Sequence, residues 1–229
     1  VRKAVLPKIK DPKIRILMNL PIVGDQIKKR ICQGMQEALG GNFYEAIVGG
    51  AAINAEIESL LNDIGFNYCV GYGATECAPI LAYEDWKLFK KGSCGKAVPR
   101  MTLKIDSPDQ QNIPGEILAK GDNVMLGYYK NEEATAETLV DGWYHTGDLG
   151  IIDAEGNVFI KGRSKNMLLG ANGQNIYPEE IEDKLNSLPM VLECVVIQKG
   201  EKLYALVYPD MEQVKALKLG EDDLKAIME

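Results

Sequence analysis

Gly71-Tyr72-Gly73-Ala74-Thr75-Glu76 follows directly on the apolar run Phe66-Asn67-Tyr68-Cys69-Val70. A buried strand that delivers the chain into a glycine-rich loop predicts a parallel α/β sheet. In such sheets ligands sit beyond the carboxyl ends of the strands. The residues before it fit the same pattern. Asn54 stands where an N-cap belongs, Ile57, Leu60, Leu61 and Ile64 make one apolar helical face, and Gly65 closes that helix. Ala46-Ile47-Val48 reads as a short buried strand running into Gly49-Gly50, a second glycine-rich loop at a strand end. Earlier still, Asp25 to Leu39 predicts a helix, with Ile27, Ile31, Met35 and Leu39 at helical spacing and Gly40-Gly41 as its stop. Residues 1–90 therefore predict part of an α/β domain.

Downstream the period changes. Residues 91–161 predict short strands and turns, a small antiparallel barrel or a distorted sheet. Met101 to Ile105 alternates, Ile113-Pro114-Gly115 turns the chain, and Glu116–Ala119 and Asn157–Ile160 are further strands. Residues 162–229 predict a small α+β piece. Pro178-Glu179-Glu180 opens a helix with proline in its first turn and acid at its positive end. Ile181, Leu185 and Leu188 form that helix's apolar face, and Pro189 stops it. Val191–Ile197 and Leu203–Tyr208 are strands joined through Lys199-Gly200-Glu201, and the last twenty residues are charged and helix-prone.

Bulk composition excludes several functions. The chain has 229 residues and a net charge of −7, with no basic stripe of the kind a nucleic-acid scaffold needs. Lys8, Lys10, Lys13 and Arg15, then Lys28, Lys29 and Arg30, gather near the start and read as a solvated face. No apolar run reaches the length of a membrane span, and the first residues do not read as a signal peptide. The chain begins without Met, which predicts that it starts partway through a longer protein. Five cysteines with no CxxC pair argue against a disulfide framework or a zinc site and fit a reducing cytoplasm. A single histidine, His145, and the lack of a GxSxG elbow leave no serine-hydrolase triad.

Four clusters carry chemistry. In Gly49-Gly50-Ala51-Ala52 the small residues let a flat ring lie against backbone, although the same residues also suit a plain tight turn. In the Gly71–Glu76 loop Tyr72 offers a face for stacking, Thr75 a hydroxyl and backbone N–H for a phosphate, and Glu76 a hard oxygen for Mg²⁺. In Trp143-Tyr144-His145-Thr146-Gly147-Asp148 the Asp148 carboxylate suits a ribose diol. His145 reads as a packed or turn residue without an acid–base partner, and Trp143 and Tyr144 read as core. In Gly162-Arg163-Ser164-Lys165 the planar fork of Arg163 suits ribose or phosphate oxygens.

Taken together and in this order, these motifs resemble the adenylate-forming superfamily of acyl-CoA synthetases, peptide-synthetase adenylation domains and luciferases. The resemblance covers nearly the whole chain. It implies that Gly50, Ala51 and Ala52 border adenine, that Tyr72 and Gly73 belong to the nucleotide site, and that Thr75 and Glu76 handle phosphate and Mg²⁺. It gives ribose to Asp148 and ribose or phosphate to Arg163. Lys165 falls on the hinge about which the C-terminal domain swings, and Gly173 lies in a loop that lines the pantetheine path after the swing. The stretches Asn172–Pro178 and Val48–Asn54 look most like long-chain fatty acid–CoA ligases. Gly115-Glu116-Ile117 and Gly127-Tyr128-Tyr129 match the barrel segment and read as structural.

The implied reaction has two halves. A fatty acid's carboxylate attacks the α-phosphate of ATP–Mg²⁺ and expels pyrophosphate, and CoA thiol then attacks the acyl-adenylate and releases AMP. A cytoplasmic protein that touches a membrane peripherally, through its acyl substrate, fits that chemistry. Two parts of such a ligase are not found in these residues: the Ser/Thr/Gly-rich loop that grips the β- and γ-phosphates, and the late lysine that contacts the α-phosphate. The expectation is therefore a fragment that alone makes adenylate poorly. Two further readings stand beside it, a nucleotide-binding module without catalysis and a ligase that loads a carrier protein.

Overall fold

The computed structural model describes residues 16–50, 52–170, 173–200, 202–217 and 220. Lys8, Lys10, Lys13, Arg15, Ala51, Ala171, Asn172, Glu201 and residues 221–229 lie outside them. Contacts gather into two units: Val1–Thr146 with Ile151–Ile160, and Gly147–Gly150 with Lys161–Glu229.

In the first unit, helix α1 (Val23–Ala38) turns Ile27, Ile31 and Met35 onto a core with Leu60, Leu61, Phe66 and Val70. Leu39, expected on that face, caps the helix and is exposed, because Gly40 and Gly41 take left-handed φ values of 93° and 74° directly after it. Strand β1 (Ala46–Val48) leads to helix α2 (Ala55–Asp63), whose N-cap Asn54 accepts from the backbone N–H groups of Glu56 and Ile57. Strand β2 (Tyr68–Val70) then pairs parallel with β1, Ala46 opposite Tyr68 and Val48 opposite Val70. Gly71 N–H donates to the Val48 carbonyl at 2.9 Å and carries the ladder up to the loop. The parallel order read from the sequence is present in this pair.

The chain then turns antiparallel. Strands β3 (Tyr72–Gly73), β4 (Ile80–Tyr83) and β5 (Lys96–Ala97) form one three-stranded sheet. A larger sheet follows from β6 (Met101–Asp106), β7 (Gly115–Gly121), the short helix α3 (Glu132–Thr138), β8 (Leu139–Val140), β9 (Trp143–Ile152) and β10 (Val158–Arg163). Its strand order is β10-β9-β7-β6, with β8 beside β9. Alternating side chains bury Ile105, Ile117, Ile152 and Val158 on one side together with Ala82. Cys77, Leu81, Met101, Ala119 and Tyr144 make a second cluster.

The second unit carries a hairpin of β11 (Leu168–Leu169) and β12 (Asn175–Ile176), then helix α4 (Pro178–Asn186) with Pro178 in its first turn. The helix ends at Asn186, before Leu188, which is exposed and takes no part in its apolar face. Strands β13 (Val191–Lys199) and β14 (Lys202–Pro209) pair antiparallel, the expected hairpin, and α5 (Met211–Ala216) follows. Among the described residues no helix is long and apolar enough to cross a membrane.

All five cysteines are free thiols. Burial, helped by Glu45, pushes Cys69 up to about 12; burial, helped by the nearby Glu76 and Glu58 carboxylates, pushes Cys77 and Cys94 up to about 11. Burial also raises Cys32 and Cys194. The thiolate is the nucleophile, so these groups are inert near neutral pH. A disulfide reagent at pH 8 is expected to label the folded chain slowly, and to label all five sites once denaturant is added. Fast labelling of the folded chain would contradict this packing.

Candidate functional site

The glycine-rich loop after β2 is shaped by one close approach. A Cβ built on Gly73 would lie 2.0 Å from the Pro79 carbonyl oxygen, so only glycine lets β3 fold back on the strand it pairs with. Ala74 N–H donates to that same oxygen at 2.8 Å. Thr75–Cys77 then winds one 3₁₀ turn that ends at Ala78 in the left-handed region, φ 56°. Thr75 stands exposed, while Tyr72 and Glu76 are half-buried. Thr75 and Glu76 are thus brought together on one rigid turn.

Glu76 is held by two neighbours. Its backbone carbonyl accepts from Met125 N–H at 2.7 Å. Its Oε1 accepts from the Tyr128 hydroxyl at 2.8 Å. The Glu76 hydrogen bond raises the Tyr128 phenol, with burial adding to it. Burial, then the Glu76 charge, raises Tyr144 further. Both phenols therefore stay protonated at neutral pH. Sequence reasoning assigned Tyr128 to the scaffold and Tyr144 to the core. No local signal ties Tyr128 to Glu76, because the contact spans 52 residues.

Among the described residues no group of three or more His, Cys, Asp or Glu side chains gathers as a metal cluster. A single fixed carboxylate suits Mg²⁺ nonetheless. That ion keeps several waters and is held through one or two carboxylates plus substrate phosphates. The Glu76 turn fits it on those terms.

Of the other loop residues, Gly50 takes φ 83° and Ala52 is exposed, while Ala51 lies outside the described residues. Beside β4 a groove of about 380 Å³ is lined by Ile47, Ala78, Pro79, Ile80, Tyr83, Val98 and Asn123. Ile47 and Ile80 are 53% and 42% exposed there, unusual for isoleucine in a folded unit.

In the second unit Asp148 is buried, its side chain 11% exposed, and its Oδ1 accepts from Arg163 Nε at 2.9 Å. The Arg163 side chain is 68% exposed, so the pair presents a fixed carboxylate under a solvated guanidinium. Lys165 sits exposed in the 3₁₀ turn Ser164–Asn166. Asn166 donates to Glu179 at 2.7 Å, and Lys161 pairs with Glu180 at 3.2 Å, which ties that turn to the start of α4. Gly173, φ 78°, closes the β11–β12 hairpin through its N–H to the Gly170 carbonyl.

His145 has the partner that its sequence neighbours did not suggest. Its Nδ1 lies 2.9 Å from Glu116 Oε2, across the sheet and 29 residues away in sequence. Trp143 is not core either: it is half-buried, with Lys104 Nζ 4.1 Å from its ring centroid.

The AMP-binding enzyme family matches residues 3–129. The chain is 35% identical to a long-chain-fatty-acid–CoA ligase of Mycobacterium bovis over 185 residues, 80% of this chain and 30% of that protein. It is 37% identical to a 2-succinylbenzoate–CoA ligase of Bacillus cytotoxicus, over 82% of this chain and 41% of the relative. Among solved structures, O-succinylbenzoate coenzyme A synthetase of Bacillus subtilis, in complex with ATP and magnesium ion, is similar with a TM-score of 0.66 and 27% identity, over 82% of this chain and 44% of that one. The chain thus spans less than half the length of these relatives. The relatives act on different acids, a long-chain fatty acid and 2-succinylbenzoate.

Proposed function

We propose, from the premise that this chain belongs to the AMP-binding enzyme family, that it carries the nucleotide-handling residues of an ATP-dependent acid–thiol ligase. The observation that carries the reading is the Glu76 carboxylate, fixed on a glycine-dependent turn by the Tyr128 phenol. In this reading Glu76 holds Mg²⁺, Thr75 offers its hydroxyl and N–H to a phosphate, and Tyr72 with Gly73 and the Gly50–Ala52 loop borders adenine. Asp148 accepts the ribose hydroxyls, and Arg163 donates to ribose or phosphate oxygens. Lys165 is the hinge and Gly173 lines the path of the thiol. When bound, Mg²⁺ neutralises charge on the phosphate oxygens. The chain's own contribution is positioning: donors and a carboxylate set before the reaction begins cost no reorganisation during it.

The reaction follows from those roles. A carboxylate oxygen attacks the α-phosphorus, the bond to the bridging oxygen breaks, and pyrophosphate leaves. The thiol of CoA then attacks the acyl carbon, and AMP leaves with the bonding pair. The finer reading is a fatty acid as substrate. Its supports are the apolar groove beside β4 and the likeness to a long-chain ligase.

Pyrophosphate exchange into ATP, measured on the complete gene product, tests this. Palmitate is expected to support exchange and 2-succinylbenzoate to support little. Exchange with 2-succinylbenzoate alone would keep the ligase and overturn the fatty acid. A protein that binds AMP yet shows no exchange with either acid would favour a nucleotide-binding module.

A further inference from the structure

We infer that Tyr128 is a positioning residue that sets the Glu76 carboxylate in one orientation for a divalent cation carried by the nucleotide. The inference rests on the reading of Glu76 as the cation's carboxylate. A glutamate side chain has three rotatable bonds, and freezing them costs conformational entropy. Here the Tyr128 hydroxyl already holds the carboxylate. A neutral phenol donor also leaves the carboxylate its full charge, which a lysine or arginine in the same place would cancel.

The donor is itself braced. Tyr128 leads into α3, and its N–H donates to Thr135 Oγ1 at 2.9 Å. Thr135 Oγ1 in turn donates to the Asn131 carbonyl at 2.7 Å. Gly127, φ 151°, keeps that loop against α3, since a Cβ there would lie 2.8 Å from Thr135 Cγ2. Met125 N–H fixes the Glu76 backbone from the same loop. Segment 125–138 thus acts on Glu76 twice, through main chain and through side chain. Partners of this kind, one step behind a metal ligand, are worth about 10–100-fold in metal affinity.

Calorimetric titration of ATP into the complete gene product, with excess Mg²⁺ and again with EDTA, gives the metal-dependent gain in affinity; AMP in EDTA gives the metal-independent affinity. Tyr128→Phe keeps the ring. It is expected to cut the Mg²⁺-dependent gain about tenfold, with AMP affinity in EDTA unchanged. Glu76→Gln is expected to remove the gain. If the unsubstituted protein shows no gain, or Glu76→Gln keeps it, the reading of Glu76 fails and this inference with it. If Glu76→Gln removes the gain while Tyr128→Phe keeps or increases it, the inference alone is overturned. Loss of AMP affinity in parallel with the Mg²⁺ gain would make Tyr128 merely structural and overturn it too.

Discussion

Gly73→Ala is expected to destabilise the protein by about 3 kcal/mol, the upper end of what forced overpacking costs. The added methyl carbon would lie 2.0 Å from the Pro79 carbonyl oxygen, 2.8 Å from its carbon and 3.1 Å from Ile80 Cα. All three are backbone atoms, so no side chain can swing aside. Relief requires β3 and β4 to part where the Ala74 N–H bonds the Pro79 oxygen. For a protein of this size the loss corresponds to a melting temperature lower by roughly 6–12 °C. Gly34→Ala is the matched control. It lies inside α1 with nothing within 4 Å of the new carbon, so alanine's helix propensity is expected to raise stability by up to about 1 kcal/mol. Thermal unfolding of both variants checks the pair. A Gly73→Ala protein that melts like its parent would mean the turn carries slack that these distances deny.

What the sequence disclosed divides along the length of the interaction. Asn54 as cap, Gly65 as helix stop and Pro178 as first-turn residue were legible because each acts on backbone within four residues of itself. The β1–β2 pairing was legible because two short apolar runs each end in glycine. Leu39 and Leu188 were misread as buried for the converse reason. Helical spacing continued past the residue where the backbone leaves the helix, and periodicity alone does not say where that is. The site shows the same division. Tyr72, Gly73, Thr75 and Glu76 could be picked out because they are consecutive on one turn. Tyr128, 52 residues from Glu76, and Glu116, 29 from His145, could not, since strand register alone decides which side chains meet across a sheet. Roles for Asp148 and Arg163 came from resemblance. Their mutual contact at 2.9 Å is what the structure adds.

Asp148→Ala is expected to weaken AMP binding about 100-fold, close to 2.8 kcal/mol, with a charged hydrogen bond worth about 1.5–3 kcal/mol. The carboxylate is well placed for that effect. It is buried on β9, its side chain only 11% exposed, so it neither wanders nor meets bulk water freely. Arg163 Nε takes Oδ1 from one side, which fixes how the carboxylate faces a ribose diol. Asp148→Asn keeps the shape and one acceptor oxygen but loses the charge, and an intermediate loss of about tenfold is expected. Arg163→Ala separates stability from binding. An arginine 68% exposed contributes at most about 1 kcal/mol to folding, so its melting temperature should barely move while AMP affinity falls. Titration of AMP into the three variants, beside a melting curve for each, gives both quantities. If Asp148→Ala binds AMP as its parent does, the ribose lies elsewhere, and the Asp148–Arg163 pair is a brace for β9 and the turn after β10.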